Sequence, residues 1–396
     1  MSGPRTLLPG STGADGRPAT LGVMGGGQLG RMFVQAAQRM GFLTAVLDPD
    51  PTSPAGLVSH YHIKADYVDE QGLAQLMQRC SAITTEFENV PAAALVTLGA
   101  HRPVAPAADA VAVCQDRAME KAHFRRSGVA CAPHAVLSDA AQLAAVPDAL
   151  FPGILKTARL GYDGKGQARV ADRAELSAAW QALGGVPCVL EAMLPLRCEI
   201  SVVLARNAQG QVVNFPVQQN LHRDGILAVT QVPAPDVDAD TAQQAVAAAA
   251  KLAESLGYVG VLCIEFFVLE DGRLVANEMA PRPHNSGHYT LDACDVSQFD
   301  LQVRALAGLP LVTPRLHSAA VMLNLLGDLW FDEQGRSRNP AWAEVLALPG
   351  THLHLYGKTG ARRGRKMGHL NITAATAEAA RATALQAAAL LGLAAW

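Results

Sequence analysis

Long apolar runs are missing from this 396-residue chain. No stretch approaches the ~18 consecutive apolar residues of a membrane-spanning helix without meeting a charge or a breaker, so none is expected. An excess of one charge is missing too: 32 Lys and Arg face 35 Asp and Glu, a net charge of −3. No global field therefore favours nucleic acid or an anionic membrane, and any anion site has to be local. Cysteine is sparse and unpatterned. Seven cysteines, an odd number without CxxC spacing, argue against a disulfide framework and a zinc knuckle and fit a reducing cytoplasm. Residues 1–19 hold Pro4, Pro9, Pro18, Gly10, Gly13 and Gly16. Their one apolar pair, Leu7-Leu8, is too little for the core of a signal peptide, and the segment is expected to be a disordered extension. What remains, 50% hydrophobic and 17% charged, is the composition of an ordinary globular enzyme, long enough for two or three domains.

Strand and helix alternate from residue 20 onward. A strand over 20–24 runs into Gly25-Gly26-Gly27. A helix over 28–40 follows, with Leu29, Met32, Phe33, Ala36 and Met40 on one face. A strand at 42–47, a helix at 73–80 and a strand at 82–85 complete a doubly wound parallel sheet. A single long helix is expected over 108–126, closed by Gly128. The chain is then strand-rich to about residue 205, with strands at 151–157, 186–194 and 199–206. An Ala-rich helix covers 241–256, and after 310 come short strands, a basic segment at 358–366 and a last helix at 375–391. The boundaries read as 20–112, 113–312 with a lid at about 130–200, and 313–396.

Two glutamates carry the most chemistry. Glu265 ends one apolar run and Glu278 ends another. Between them lies Glu270-Asp271-Gly272-Arg273, where Asp-Gly is a two-residue hairpin signal. With Asp271 and Gly272 as the loop, Glu270 pairs with Arg273 and Glu265 faces Glu278. Facing carboxylates repel, the more so when buried. A divalent cation removes the repulsion, and carboxylates at one point are what Mg²⁺ uses beside nucleotide phosphates.

Other motifs leave alternatives open. Gly25-x-Gly27-x-x-Gly30, with Asp48 at the end of the next strand, matches the dinucleotide fingerprint. It serves equally for another phosphate ligand or for plain structure. Lys156 precedes the glycine loop Gly161-Tyr162-Asp163-Gly164-Lys165-Gly166-Gln167, which suits phosphates without being a P-loop. A carboxylate at Glu191 or Glu199 suits a ribose. His222 reads equally as structural. The run Asn277-Glu278-Met279-Ala280-Pro281-Arg282-Pro283-His284-Asn285-Ser286-Gly287-His288 gathers donors for a carboxylate-like anion. The cluster Lys358, Arg362, Arg363, Arg365 and Lys366 suits a phosphate monoester.

Taken together with Gly27-Gln28-Leu29-Gly30-Arg31-Met32, Glu86-Phe87-Glu88-Asn89-Val90-Pro91, Asp116-Arg117, Asn220-Leu221-His222 and Gly364-Arg365-Lys366-Met367-Gly368-His369, these motifs closely resemble the 5-(carboxyamino)imidazole ribonucleotide synthases of purine biosynthesis, a family of ATP-grasp ligases. The resemblance runs from about residue 20 to 372. It implies an α/β chain (α+β overall) with an ATP-grasp fold, an N-terminal doubly wound Rossmann-like domain and a small C-terminal β-rich domain. It implies ATP, bicarbonate and 5-aminoimidazole ribonucleotide as substrates, Mg²⁺ as the metal and a cytoplasmic homodimer. It places Arg117, Lys156, the 161–167 loop, Glu191, Glu199, His222, Asn277 and Glu278 on ATP, and Glu265 with Glu278 on Mg²⁺. Arg282, His284 and Asn285 fall on bicarbonate and the carboxyphosphate made from it. Glu88, Tyr162, Asp163, Lys358 and Arg365 fall around the ribonucleotide, with Asp163 orienting or deprotonating its amine. Three departures stand out. Ala280 occupies a position where many ATP-grasp relatives have asparagine, the 358–364 segment is one residue longer than expected, and residues 1–19 have no counterpart. Two other enzyme readings remain: another ATP-grasp ligase acting through an acyl phosphate, and an NAD-dependent oxidoreductase built on the first glycine turn.

Overall fold

The computed structural model describes residues 6–13, 16–161 and 164–396. Near the N-terminus, the strands Thr20–Met24, Leu43–Leu47, Tyr61–Ile63 and Ala82–Thr85 form a four-stranded parallel sheet. Its central strand is buried at every position, as a strand covered on both faces requires. The helix Gln28–Arg39 turns Leu29, Met32, Phe33 and Ala36 inward, the face expected from their spacing.

A second, nine-stranded sheet is the backbone of the molecule. At one edge the hairpin Gly260–Leu269 and Leu274–Ala280 pairs with Leu196–Arg206. Beyond Gln218–Arg223 and Ile226–Val232 the ladder passes to Ala319–Leu326, Lys366–Ala374 and Thr351–Leu355. The C-terminal strands thus continue the sheet that carries Glu265 and Glu278. A third, four-stranded antiparallel sheet holds His134–Leu137, Cys188–Ala192, Gly153–Thr157 and Gln167–Val170. It has its own core of Leu137, Leu155, Leu176, Trp180 and Leu190.

Two expectations are corrected. The helix anticipated over 108–126 is two, Ala108–Cys114 and Arg117–Arg126. Asp116 breaks it: its side chain accepts from the N–H groups of Ala118 and Met119 and caps the second helix. Arg117 N is drawn off to Ala158 O at 2.9 Å. Disorder over 1–19 does not hold for the described part. Leu7 N donates to Ala307 O at 2.8 Å, Thr12 bridges Pro18, and Leu7 packs on the core beneath the helix Gln28–Arg39. Residues 1–5, 14 and 15 lie outside the described residues. No helix among the described residues is long and apolar enough to cross a membrane.

Asp116→Ala removes the cap and the Arg159 ion pair at 3.1 Å. It is expected to lower the unfolding free energy by about 1 kcal/mol in chemical denaturation. An unshifted midpoint would mean that the cap does not hold the break.

Candidate active site

The two glutamates meet by a route different from the one the sequence suggested. At the turn the register is one residue off: Val268 pairs with Leu274, Phe267 with Val275 and Phe266 with Ala276. A bulge then leaves Asn277 without a partner across the ladder and brings Glu265 opposite Glu278. Bulges re-aim side chains at functional sites, and here Asn277 Oδ1 lies 3.5 Å from Lys156 Nζ. The edge strand carrying this bulge is covered by the helix Arg117–Arg126. Glu120 Oε1 accepts from Met279 N at 2.7 Å, and Lys121 Nζ donates to Asn277 O at 2.8 Å. Both strand groups would otherwise be unpaired edge groups.

Glu265 and Glu278 divide their ionisation. Burial pushes the Glu265 carboxyl up to about 8; Glu278 and Glu199 add to this and His222 opposes it. Burial also works against ionisation of Glu278, but Arg117, at 3.0 Å, and Lys156 hold it well below the usual carboxylate range. Glu265 Oε1 is buried without a hydrogen-bonding partner among the described residues. An orphaned oxygen opposite an ionised carboxylate fits a hard divalent cation. Among the described residues no group of three or more His, Cys, Asp or Glu converges on one point. The pair therefore suits a cation that arrives with phosphate and water ligands, not one held in a protein cage.

Two cavities of about 300 and 310 Å³ adjoin at this pair, and Arg117, Glu265 and Glu278 line both. One takes in Lys156, Gly164, Lys165, Gln167 and Glu191, together with Glu199, His222 and Asn277. Lys156 is buried, and Glu191 takes it at 3.2 Å and Lys121 at 3.3 Å. Glu191 thus ion-pairs with two lysines while lining the cavity, and its Oε1 has no hydrogen bond among the described residues. Burial lowers the Lys156 pKa, with Arg117 and Lys121 adding to the fall and Glu191 resisting it. His222 Nδ1 sits 2.5 Å from Glu199 Oε2. Burial works against its charge, but Glu199 and Glu265 outweigh burial and raise it to about 9.

The other cavity is lined by Gln28, Glu88, Gly161, Arg282, His284, Asn285 and Lys366. Glu88 ion-pairs with Arg282 Nε, so this carboxylate steadies the guanidinium. Burial drives the His284 pKa down to about 3, with Arg282 and Lys366 adding to it, and leaves the ring neutral. Both polar atoms of the Asn285 amide are buried without partners among the described residues. Of the basic segment it is Lys366 that lines the cavity. Lys358 Nζ donates to Lys366 O at 2.7 Å, and Arg365 Nη1 donates to Thr359 O and Gly360 O at 3.1 and 2.9 Å. Gly166 O accepts from Thr157 N at 2.8 Å and closes the loop base. Tyr162 and Asp163 lie outside the described residues.

The first glycine turn is filled by the protein itself. Gly26 N donates to Asp48 Oδ2 at 2.6 Å, and Gly27 N and Gly30 N donate to the Glu86 carboxylate at 2.8 and 3.1 Å. Asp48 also takes the Tyr67 hydroxyl at 2.6 Å. The N–H groups that would cradle a pyrophosphate are occupied, so the dinucleotide reading falls.

Comparison with known proteins agrees. Residues 19–115 match the ribonucleotide synthetase preATP-grasp domain, 122–299 the ATP-grasp domain and 320–383 the phosphoribosylaminoimidazole carboxylase C-terminal domain. An N5-carboxyaminoimidazole ribonucleotide synthase of Brucella melitensis is 45% identical over 92% of this chain and 97% of its own length. The chain belongs to the N5-carboxyaminoimidazole ribonucleotide synthase family. The Bacillus subtilis synthase is 39% identical over 89% of this chain and 90% of that protein. A crystal structure of an ADP complex of such a synthetase superimposes with a TM-score of 0.89 at 38% identity, covering 97% of each chain. The Aspergillus clavatus synthase, solved with ADP and 5-aminoimidazole ribonucleotide, gives 0.86 at 31% identity over 95% of this chain and 99% of its own.

Sequence reasoning passed over Glu120, Lys121 and Glu86, which the structure places at or beside this candidate site. A signal for the first two was present: the helix Arg117–Arg126 buries Glu120, Lys121, His123 and Phe124, a charged stripe at the spacing of an inward face.

Replacing Glu191 by Leu strands two buried ammonium groups, and the expected cost is roughly 3–5 kcal/mol of stability in denaturant titration. A wild-type midpoint would show that the lysines do not depend on it. A pH prediction follows from Glu265 and His222. Their folded values of about 8 and about 9 exceed the reference values of 4.5 and 6.5, so the folded state holds more protons. Stability of the ligand-free protein is then lost as pH rises, through 4.5 to 8 for Glu265 and 6.5 to 9 for His222. The melting temperature is expected to fall from pH 6.5 to pH 8, where both windows overlap, and a rising one would contradict the assignment.

Proposed function

We propose that this chain carboxylates the exocyclic amine of 5-aminoimidazole ribonucleotide at the expense of ATP, giving N5-carboxyaminoimidazole ribonucleotide, ADP and phosphate, with bicarbonate as the carboxyl source. The observation that carries this reading is the meeting of two cavities at Glu265, Glu278 and Arg117. A triphosphate seated on the Lys156 side presents its terminal phosphate to an anion seated on the Arg282 side.

Bicarbonate is a poor electrophile. Its oxygen attacks the γ-phosphorus, the bond to the β-bridging oxygen breaks, and ADP leaves as carboxyphosphate forms. Enzymes assist such a step chiefly by positioning and by neutralising charge. Lys156 and Lys165 line the phosphate side, with Gly164 and Gln167 as loop contacts, and Arg117 bridges to the junction. Glu265 and Glu278 are the residues that would hold Mg²⁺, which supplies charge neutralisation of the phosphate oxygens when bound. Arg282, steadied by Glu88, seats bicarbonate beside His284 and Asn285. The neutral His284 ring donates a hydrogen bond without adding charge. The amine then attacks the carboxyl carbon, phosphate leaves, and the amine loses a proton. The resemblance assigns the orientation of that amine to Asp163 beside Tyr162. Lys366 enters as a cation for the ribonucleotide phosphate or the bicarbonate. The setting is the cytoplasm, in keeping with seven free cysteines, and the assembly is a homodimer.

The test is ADP release with Mg·ATP and bicarbonate, with and without 5-aminoimidazole ribonucleotide. Strong stimulation by the ribonucleotide is expected; no stimulation overturns the substrate assignment. Glu278→Gln is expected to cut that rate by roughly a hundredfold or more, and near-wild-type turnover would remove Glu278 from the phosphate junction.

A further inference from the structure

His288 lines the cavity of Arg282 and Asn285, and its chemistry is decided by a residue the reaction scheme leaves out. Gln298 is fully buried, and its amide orientation is fixed by the main chain of His284. Its Oε1 accepts from His284 N at 2.8 Å, so the other atom is the amide nitrogen, which donates to His284 O at 2.8 Å. That nitrogen also stands 3.1 Å from His288 Nδ1. An amide nitrogen only donates, so Nδ1 accepts and the ring proton belongs on Nε2. Gly287 makes this approach possible: a Cβ there would sit 2.6 Å from Gln298 Oε1.

The plane of the ring is fixed independently. His288 lies against His369 with centroids 4.6 Å apart, and His369 stacks on His354 at 4.5 Å. Asn371 Nδ2 holds His288 O at 2.9 Å. Burial, with the neighbouring His284 and His354, keeps the imidazole neutral. With Nδ1 committed, Nε2 is the remaining polar atom of a ring that lines the cavity. A second observation points to a ligand there. Asn285 is 7% exposed, lines the same cavity, and has neither amide atom hydrogen-bonded among the described residues. One buried donor fixed in place, beside one buried amide still unsatisfied, describes a seat for a small planar oxyanion.

We propose that His288 is a further substrate-binding residue, whose Nε2–H donates to an oxygen of the bicarbonate held by Arg282 and Asn285, and that Gln298 is a positioning residue that sets its tautomer. This rests on the carboxylation reading given above.

The experiment has two arms on the full-length protein. In the first, long-range proton–nitrogen correlation spectra of histidine-labelled enzyme are read near neutral pH, with the His288 signals identified by their loss in His288→Gln. A neutral Nε2–H pattern is expected; an Nδ1–H pattern or an imidazolium overturns the proposal without reference to activity. In the second, KM for bicarbonate is measured at saturating ATP and ribonucleotide. His288→Phe is expected to raise it by roughly ten- to a hundredfold, the loss of one hydrogen bond to a charged group, with KM for ATP nearly unchanged. His288→Gln, which retains an N–H donor, is expected to recover part of the loss. Gln298→Glu, which turns Nδ1 into the donor and leaves a lone pair facing the anion, is expected to raise the bicarbonate KM like His288→Phe while the protein remains folded. An unchanged bicarbonate KM in both His288→Phe and Gln298→Glu, with a normal wild type, overturns this inference alone. A wild type without bicarbonate-dependent turnover overturns the carboxylation reading instead.

Discussion

Everything in this molecule turns on two carboxylates forced to face each other across a ladder that would rather keep them apart. Glu265 and Glu278 are directly opposed, and the fold has spent several charged groups on making that tolerable. Arg117 and Lys156 keep one ionised, and burial keeps a proton on the other. The residual frustration is an oxygen of Glu265 without a hydrogen bond among the described residues, where a cation would complete the arrangement. Such sites are where local stability rules are expected to be broken in favour of function.

Charge compensation spreads outward from that pair in two directions. On one side Lys156, Glu191 and Lys121 form a buried triad in which each charge depends on another. On the other, Glu88 braces Arg282, and two neutral imidazoles stand beside the guanidinium. Net charge near zero across the chain hides this local order. Arg117, Lys121, Lys156 and Arg282 gather around the two cavities, and each is held by a carboxylate.

Much of this was legible in the residues. The first doubly wound sheet followed from alternating apolar runs, and the motif resemblance reached the right family because its pieces are spread over nearly the whole chain. The juxtaposition of Glu265 and Glu278 was also expected, but through two errors that cancel: the turn is one residue longer than Asp-Gly implies, and the Asn277 bulge restores the count. A bulge has no sequence signature of its own, so period-two counting cannot see it. The split of the helix at Asp116 was written in the sequence as an N-cap followed by Glu120, yet the apolar residues on either side masked it. Glu191 reads in the sequence as a carboxylate suited to a ribose, and only the fold shows the two lysines placed against it. Gln298 is an ordinary helix residue in the sequence; only the close approach across Gly287 gives it a role.

The unbroken hydrogen-bonded ladder from Leu274–Ala280 to Lys366–Ala374 has a mechanical corollary. Lys366, which lines the cavity from the strand Lys366–Ala374, cannot shift against the acidic pair without breaking rungs of one nine-stranded sheet. Travel between reactants is cheap only where two sheets abut. The four-stranded sheet bearing Lys156 shares no rung with that ladder, so this lysine stands on a separate element from the two glutamates.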